Sequence, residues 1–307
     1  MRRSLLMLFL AGCLLAAVSP AAAAVRFVDD SGRGIVVERP FRRIISLYAA
    51  HTENLFSLGL GPEIIGVSPH EDHPPAARGK PVFRAGDDPE RFLAARPDLV
   101  LIRPMIFRGH RALVETLKRA GVCVVSLQPR TVNQMYRYWH LLGLLTGRRE
   151  EAAAMERRFQ GELARVRALS AGIPREKRPR VFFESIHRRM KTFSPASMAV
   201  FVLEAAGGVN LATDARPVRG SNIAAYGKER ILALAQRMDV YLAQVGAMNH
   251  VTVEQILHEP GFQAIRAVRL GRVYLVDEHI VSRPTLRLVQ GMGRIHALLY
   301  PGGRPLR

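Results

Sequence analysis

The sequence predicts an α/β fold: two α/β lobes joined by a single long α-helix. Three observations predict it. Short β-branched runs alternate with amphipathic stretches from Phe41 to Leu127 and again from Arg180 to Asp277, the pattern of strands with helices on their faces. Between these regions lies the longest helical stretch of the chain, from Met135 to about Leu169. Finally, "PERFLAARPDLVLI" (Pro89 to Ile102) returns as "KERILALAQRMDVYLA" (Lys228 to Ala243). Two copies of Glu-Arg-x-Leu-Ala, an Asp and an apolar run, so widely separated, mark two similar lobes rather than a short-period solenoid.

Residues 1–24 stand outside this fold. "MRRSLLMLFLAGCLLAAVSPAAAA" has two arginines, a short apolar run and small residues ending in Ala22-Ala23-Ala24, the form of a secretory signal cleaved before Val25. "LAGC" at Leu10 to Cys13 also resembles a lipobox, whose cysteine would be acylated and kept as the first mature residue. The apolar run continues past Cys13, which favours cleavage before Val25. Either reading places the mature chain outside the cytoplasm, in the periplasm.

The first lobe spans residues 25–133. "RIISLY", "EIIGVS", "DLVLIR" and "VCVVSL" read as its strands, with "HTENLFSLGL", "PERFLAAR" and "GHRALVETLKRAG" as the helices between them. Residues 134–172 read as the linker helix: Met155, Phe159, Leu163 and Val166 recur at helical spacing, and Gly172 and Pro174 stop it. Over residues 173–307 the alternation resumes with "RVFFES", "DVYLAQ" and "RVYLVD" as strands and "SMAVFVLEAAGG", "KERILALAQ" and "TVEQILHEPGF" as helices. A helical connector restricts hinge motion, because bending it breaks backbone hydrogen bonds that a loop hinge never makes.

Composition narrows the class. The formal charge is +19, and losing Arg2 and Arg3 with the leader leaves +17. The arginines are scattered rather than striped and no recognition motif is present, so nucleic acid is not the expected partner. Of the 2 cysteines one lies in the leader, so Cys123 has no intramolecular partner and reads as a small buried apolar residue. There is no Gly-x-Ser-x-Gly elbow, Gly-rich phosphate loop or His-Glu-x-x-His, as a secreted α/β hydrolase would need; the chain reads as a non-enzyme. No resident cofactor or metal is called for.

Several segments, "RIISLYAAHTENLFSLGLGPEIIGVS", "ERFLAARPDLVL", "LKRAGVCVVSL", "LGLLTGRREEA", "FVLEAAGGVNL" and "AVRLGRVYLVD", together resemble the substrate-binding proteins of ABC importers for iron complexes, haem and cobalamin, the class with a rigid helical linker. The resemblance runs from about Arg42 to Asp277. It implies a ligand crevice between the lobes, a monomer, and a partner, the permease dimer of the importer. It also implies that Glu90 and Glu229, one in each copy of the repeated pattern, dock onto arginines of the two permease subunits. Each is equally suited to a first helical turn, where the dipole favours an acid.

Ligands in such folds sit beyond the carboxyl ends of the strands. The residues there are Tyr48, His51, His70, Arg84, Arg103 and Gln128 in the first lobe. In the second they are Glu184, Phe193, Arg219, Asn222, Gln244 and Arg283. Arginine dominates, and its planar fork suits carboxylate, catecholate or phosphate oxygens. The expected cargo is therefore an iron chelate of the ferric siderophore type, with cobalamin or haem as the alternative. Tyr48 and His51 are residue types that ligate haem iron, while "SPHEDHPP" carries His70 and His73 at His-x-x-His spacing in a proline-ended loop without fixed geometry. Intact-mass measurement of the exported protein is expected to give a chain beginning at Val25; a mass retaining an acylated Cys13 would establish the lipoprotein reading instead.

Overall fold

The structure, a computed structural model, describes residues 24–69, 71–218 and 221–302. Val25–Val28 (β1) and Gly34–Val37 (β2) form an antiparallel hairpin in front of the first lobe. Four parallel strands follow: β3 (Ile44–Ser46), β4 (Ile64–Val67), β5 (Leu99–Ile102) and β6 (Cys123–Ser126), in the order β4-β3-β5-β6. All four residues of β5 are buried, as a parallel sheet covered on both faces requires. The hairpin closes the exposed edge of β6: Asp29 accepts the Ser126 N–H at 3.1 Å, and Arg33 donates to the Val124 carbonyl at 2.9 Å. Cys123 at the start of β6 is only partly buried, and that burial pushes its thiol up to about 11.

Helices α1 (Ala49–Ser57), α2 (Pro89–Ala94), α3 (Pro104–Gly109) and α4 (Arg111–Arg119) connect these strands. The repeated pattern has a common explanation in α2 and in α8 (Lys228–Ala233) of the second lobe. In each, the residue after Glu-Arg, Phe92 or Ile231, is fully buried. Each arginine pairs with an acid, Arg91 with Asp87 and Arg230 with Asp214, both at 2.5 Å. Each glutamate, Glu90 or Glu229, is exposed in the first turn.

The lobes are joined by one long helix, but it is shorter than the 134–172 expected. The first part of that stretch is a separate helix, α5 (Val132–Thr146), which ends at Gly147 with φ 72°; α6 (Arg149–Ala168) then makes the connection. Helix-favouring residues run through the break, and glycine, free to adopt the left-handed conformation, stops α5 all the same. The two helices approach closely at Gly143, where a Cβ would lie 2.6 Å from the Arg148 carbonyl oxygen and 2.7 Å from Ala152 Cβ. The 20 residues of α6 span about 30 Å at 1.5 Å per residue.

The second lobe contains β7 (Arg180–Ile186), β8 (Lys191–Phe193), α7 (Met198–Ala205), β9 (Val209–Asn210), β10 (Arg216–Pro217), β11 (Ile223–Ala225), α8, β12 (Val240–Val245), α9 (Val253–Leu257), α10 (Arg266–Arg269), β13 (Val273–Asp277), α11 (Glu278–Val281) and α12 (Leu288–Leu299). Its sheet runs β10-β11-β8-β7-β12-β13, with β9 beside β7. Strands β7, β9, β12 and β13 are parallel, whereas β8, β10 and β11 are antiparallel. The antiparallel strands have two or three residues each, too few to show an alternating pattern in the sequence.

One apolar core passes through both lobes, taking in Leu55 and Leu101 from the first, Phe183 and Val276 from the second, and Trp139, Phe159 and Met292 from the helices. At its rim the Pro284 carbonyl accepts two hydrogen bonds from the other side of the molecule, from Asn54 Nδ2 at 3.0 Å and Trp139 Nε1 at 3.3 Å. Beside it Arg287 makes a two-pronged pair with Glu53 at 3.0 and 3.1 Å. Among the described residues no helix is long and apolar enough to cross a membrane.

Candidate functional site

The segments that follow β3, β4 and β5 in the first lobe meet the segment that follows β13 in the second. Tyr48 occupies the N-cap of α1 with extended backbone, and the Arg103 guanidinium lies 4.4 Å from its ring centroid. Burial raises the Tyr48 pKa, against the opposing charges of Arg103 and Arg283, so the side chain is a phenol at neutral pH. Arg103 Nε is buried and has no hydrogen-bond partner among the described residues. From the opposite lobe Arg283 reaches Asp72 at 3.4 Å, and His279 reaches the same carboxylate at 3.3 Å. Burial pushes the Asp72 carboxyl up, but His279 and Arg283 outweigh it and leave it below its ordinary value. The sequence thus brings Tyr48, Arg103 and Arg283 together across the lobes.

Glu278 belongs to the same group and was missed, although it too follows a strand. One oxygen accepts the Ala247 N–H at 3.0 Å and the other is buried without a hydrogen-bond partner among the described residues. Its seat depends on Gly246, where a Cβ would stand only 2.1 Å from the Glu278 carboxyl carbon.

Gln128 and Asn222 come together in a cavity of about 230 Å3 that both lobes line. Arg108 and Arg130 of the first lobe and Ser221 of the second share its wall. Pro104, directly after Arg103, also lines it.

Other expected contacts fall elsewhere. His51 is fully buried behind Tyr48, with its ring edge-on at 5.1 Å. Its Nε2 faces the Ile102 carbonyl at 3.1 Å and its Nδ1 faces the Tyr138 hydroxyl at 2.8 Å. A carbonyl only accepts, so Nε2 carries the proton and Nδ1 accepts from Tyr138. Burial lowers the His51 pKa to about 3. A neutral ring with both nitrogens engaged positions Tyr48 and does not itself reach a ligand.

Glu184 lies inside the second lobe, where it accepts hydrogen bonds from Tyr241 and, at 2.8 Å, from His187. Phe193 packs on Phe183 with ring centroids 4.9 Å apart. Gln244 is fully buried, accepting from Ser282 at 2.8 Å and donating to the Ser185 carbonyl at 3.3 Å. In all three cases a residue near a strand end points into the sheet's packing layer rather than out of the rim, because side chains alternate along a strand. Arg84 is exposed, with its backbone N–H held by Asp87 at 2.9 Å in the turn before α2. His70 and Arg219 lie outside the described residues.

Glu71 lines the same region. Burial pushes its carboxyl up to about 7, against hydrogen bonding from Ser68 and the charge of Arg283.

Residues 44–280 match the family model described as periplasmic binding protein. The chain is similar to an uncharacterized ABC transporter substrate-binding lipoprotein from Bacillus subtilis, 24% identical over 89% of this chain and 84% of that protein. It is also similar to a cobalamin-binding protein from Halobacterium salinarum, 26% identical over 87% of this chain and 72% of that one. Among solved structures, a possible iron-binding periplasmic solute-binding protein from Staphylococcus epidermidis superposes with a TM-score of 0.73 at 26% identity, covering 85% of this chain and 100% of that one. A periplasmic heme-binding protein from Pseudomonas aeruginosa shares the fold with a TM-score of 0.70 at 22% identity, covering 87% and 95%.

Because the folded Glu71 binds its proton up to about pH 7 while an unfolded glutamate releases it near its ordinary value of 4.5, this group's contribution to stability is fullest at low pH and is lost as pH rises through that window. Glu71→Gln is expected to flatten the dependence of melting temperature on pH between about 5 and 8; an unchanged slope would show that Glu71 is ionised throughout.

Proposed function

The chain belongs to the periplasmic binding protein family and is the substrate-binding component of an ABC transporter, and on that premise we propose that its cargo is an iron chelate of the ferric siderophore type. The observation that carries this reading is the pairing of Arg103 and Arg283 around Tyr48, one arginine from each lobe. Two guanidiniums in a partly buried cleft favour a cargo with anionic oxygens, which they bind by charge-assisted hydrogen bonds. Tyr48 then offers an aromatic face and a hydroxyl to the same cargo.

The similarity to a cobalamin-binding protein over most of the chain supports a second reading, in which the cargo is a corrinoid. Haem is the third, with the Tyr48 oxygen as the iron ligand. That oxygen is protonated in the free protein, so an incoming iron would have to displace the proton.

Export of the chain through the leader accords with the family; we take cleavage before Val25 as the form of that export, while the relative described as a lipoprotein favours the alternative in which Cys13 is acylated and kept. Outside the cytoplasm the protein works as a monomer that hands cargo to the permease. Glu90 and Glu229 are suited to that hand-over: both are exposed on short helices of matching sequence, one on each lobe. Two carboxylates on one body engage a two-fold partner through paired guanidinium contacts.

Arg103→Ala and Arg283→Ala are each expected to weaken binding of an anionic ferric chelate by about 1.5–3 kcal/mol, the range for hydrogen bonds to charged groups, with Tyr48→Phe costing less. Titrating these variants with a ferric siderophore, haem and cobalamin checks it. A haem cargo reverses the order and shifts the absorption spectrum in Tyr48→Phe, and binding of cobalamin alone, indifferent to both arginines, would refute the anionic-chelate reading. Reversing both docking charges, Glu90→Arg with Glu229→Arg, is expected to abolish uptake while affinity stays within about twofold, since about 1–3 charge-assisted contacts per site are lost at the permease and none at the crevice. Normal uptake by the double reversal would refute the docking assignment.

A further inference from the structure

We propose that the second lobe seats on an anionic phospholipid surface through the face opposite the crevice rim, using the arginines and Leu270 at the amino ends of β7, β12 and β13. The proposal rests on the exported location of the chain and not on the identity of its cargo.

The three strands are parallel neighbours in one sheet, so the segments that lead into them meet along one edge. Two backbone bonds join those segments, from the Asp239 N–H to the Arg180 carbonyl at 2.9 Å and from the Tyr241 N–H to the Arg272 carbonyl at 3.0 Å. Residues 178–180, 236–239 and 264–272 together hold six arginines and one acid, Asp239. Arg180 and Arg266 share that aspartate. Arg178, Arg269 and Arg272 donate instead to the carbonyl oxygens of Ser170, Ala264 and Leu299, at 3.0, 2.6 and 3.3 Å. A carbonyl satisfies the hydrogens of a guanidinium without cancelling its charge. The sixth, Arg237, is exposed and has no side-chain partner among the described residues. The turn before β7 adds exposed Arg175 and Lys177 against one glutamate, Glu176.

An apolar side chain stands in this field. Leu270 follows α10 and is 56% exposed; it lies between Arg269 and Arg272 in a turn that Gly271 completes with φ 63°. A single exposed leucine is ordinary by itself. One ringed by uncancelled cations matches a layer of phosphates with acyl chains beneath it, where basic residues meet the headgroups and the apolar tip enters below them. An acidic protein or a free anion would use the arginines and leave the leucine in water.

Such a contact turns the working side outward. The crevice residues Glu278, His279 and Arg283 follow the carboxyl end of β13. Glu229 opens α8, while Arg237 stands at the far end of the same segment, just before β12. A chain seated through this face holds its crevice toward the compartment, open to cargo, and leaves the surface before it meets the permease.

Co-sedimentation with vesicles tests this on the chain beginning at Val25, which carries no acyl group. Partition onto phosphatidylcholine vesicles containing about one-third phosphatidylglycerol is expected to exceed that onto phosphatidylcholine alone by about tenfold or more, since each basic residue at an anionic surface contributes about fivefold. Arg237→Glu combined with Arg269→Glu is expected to lower partition by about tenfold or more, and Leu270→Ser by about threefold; all three side chains are exposed. Arg188→Glu combined with Arg189→Glu makes the same change in net charge on exposed residues beyond the carboxyl end of β7, and is expected to change partition by less than about twofold, because charges far from the contact are screened. Equal partition onto the two kinds of vesicle, equal losses from the two reversed pairs, or a Leu270→Ser variant that partitions like the unaltered chain overturns the proposal. Capture by soluble polyglutamate without partition onto vesicles also overturns it, and assigns the face to an acidic protein. None of these outcomes involves cargo, so the reading of the crevice is judged apart from them.

Discussion

The Pro284 carbonyl is the point on which the arrangement of the two lobes turns. It accepts from Asn54 of α1 and from Trp139 of α5, so a backbone atom of the second lobe is held by side chains of the first lobe and of the helix below it. The Glu53–Arg287 pair lies beside it, with side chains only 4% and 14% exposed. A buried pair of this kind adds little net stability, but removing one partner typically costs about 3–5 kcal/mol because the other is left buried and uncompensated. The arrangement therefore opposes any separation of the lobes far more than it favours folding. Together with α6 and the shared apolar core it fixes the crevice width that Tyr48 and Arg283 face across.

The same tie organises the binding surface. Asn54, which reaches Pro284, also donates to the Tyr138 hydroxyl at 3.2 Å; Tyr138 donates to His51, and His51 to the Ile102 carbonyl. This chain of donors and acceptors runs in one direction beneath Tyr48, each bond polarising the next. It locks α1 to the end of β5, the two elements that present Tyr48 and Arg103. The position of the aromatic ring and of the guanidinium stacked on it is thus set by residues buried beneath them.

Much of this was legible in the sequence. The parallel strands, the two lobes and the equivalence of α2 with α8 follow from apolar periodicity and from the repeated Glu-Arg-x-Leu-Ala, because buried strands and half-buried helices leave strong local patterns. Tyr48, Arg103, Arg283, Gln128 and Asn222 are candidates by their place after strands, and the structure groups the first three around one cleft and the last two in one cavity. That rule locates a residue along the chain but not the direction of its side chain, which is why His51, Glu184, Phe193 and Gln244 were grouped with them and lie buried instead. The break at Gly147 is hidden because helix-favouring residues, Leu144 and Leu145 before it and Arg148, Arg149 and Glu150 after it, flank Thr146 and Gly147. Glu278 satisfies the same rule, directly after β13, but its seat depends on a contact with Gly246, and long-range packing of this sort leaves no mark in either segment alone.

The fixed geometry of the lobes bears on how the carrier behaves in a crowded compartment. If Glu90 and Glu229 are the docking groups proposed above and stay at one separation whether or not the crevice is filled, a vacant carrier offers the permease nearly the same face as a loaded one. Vacant molecules then compete for the permease, and throughput depends on the ratio of loaded to vacant carriers rather than on the total. A carrier of this build works best when its abundance is matched to the supply of cargo, and overproduction would slow import.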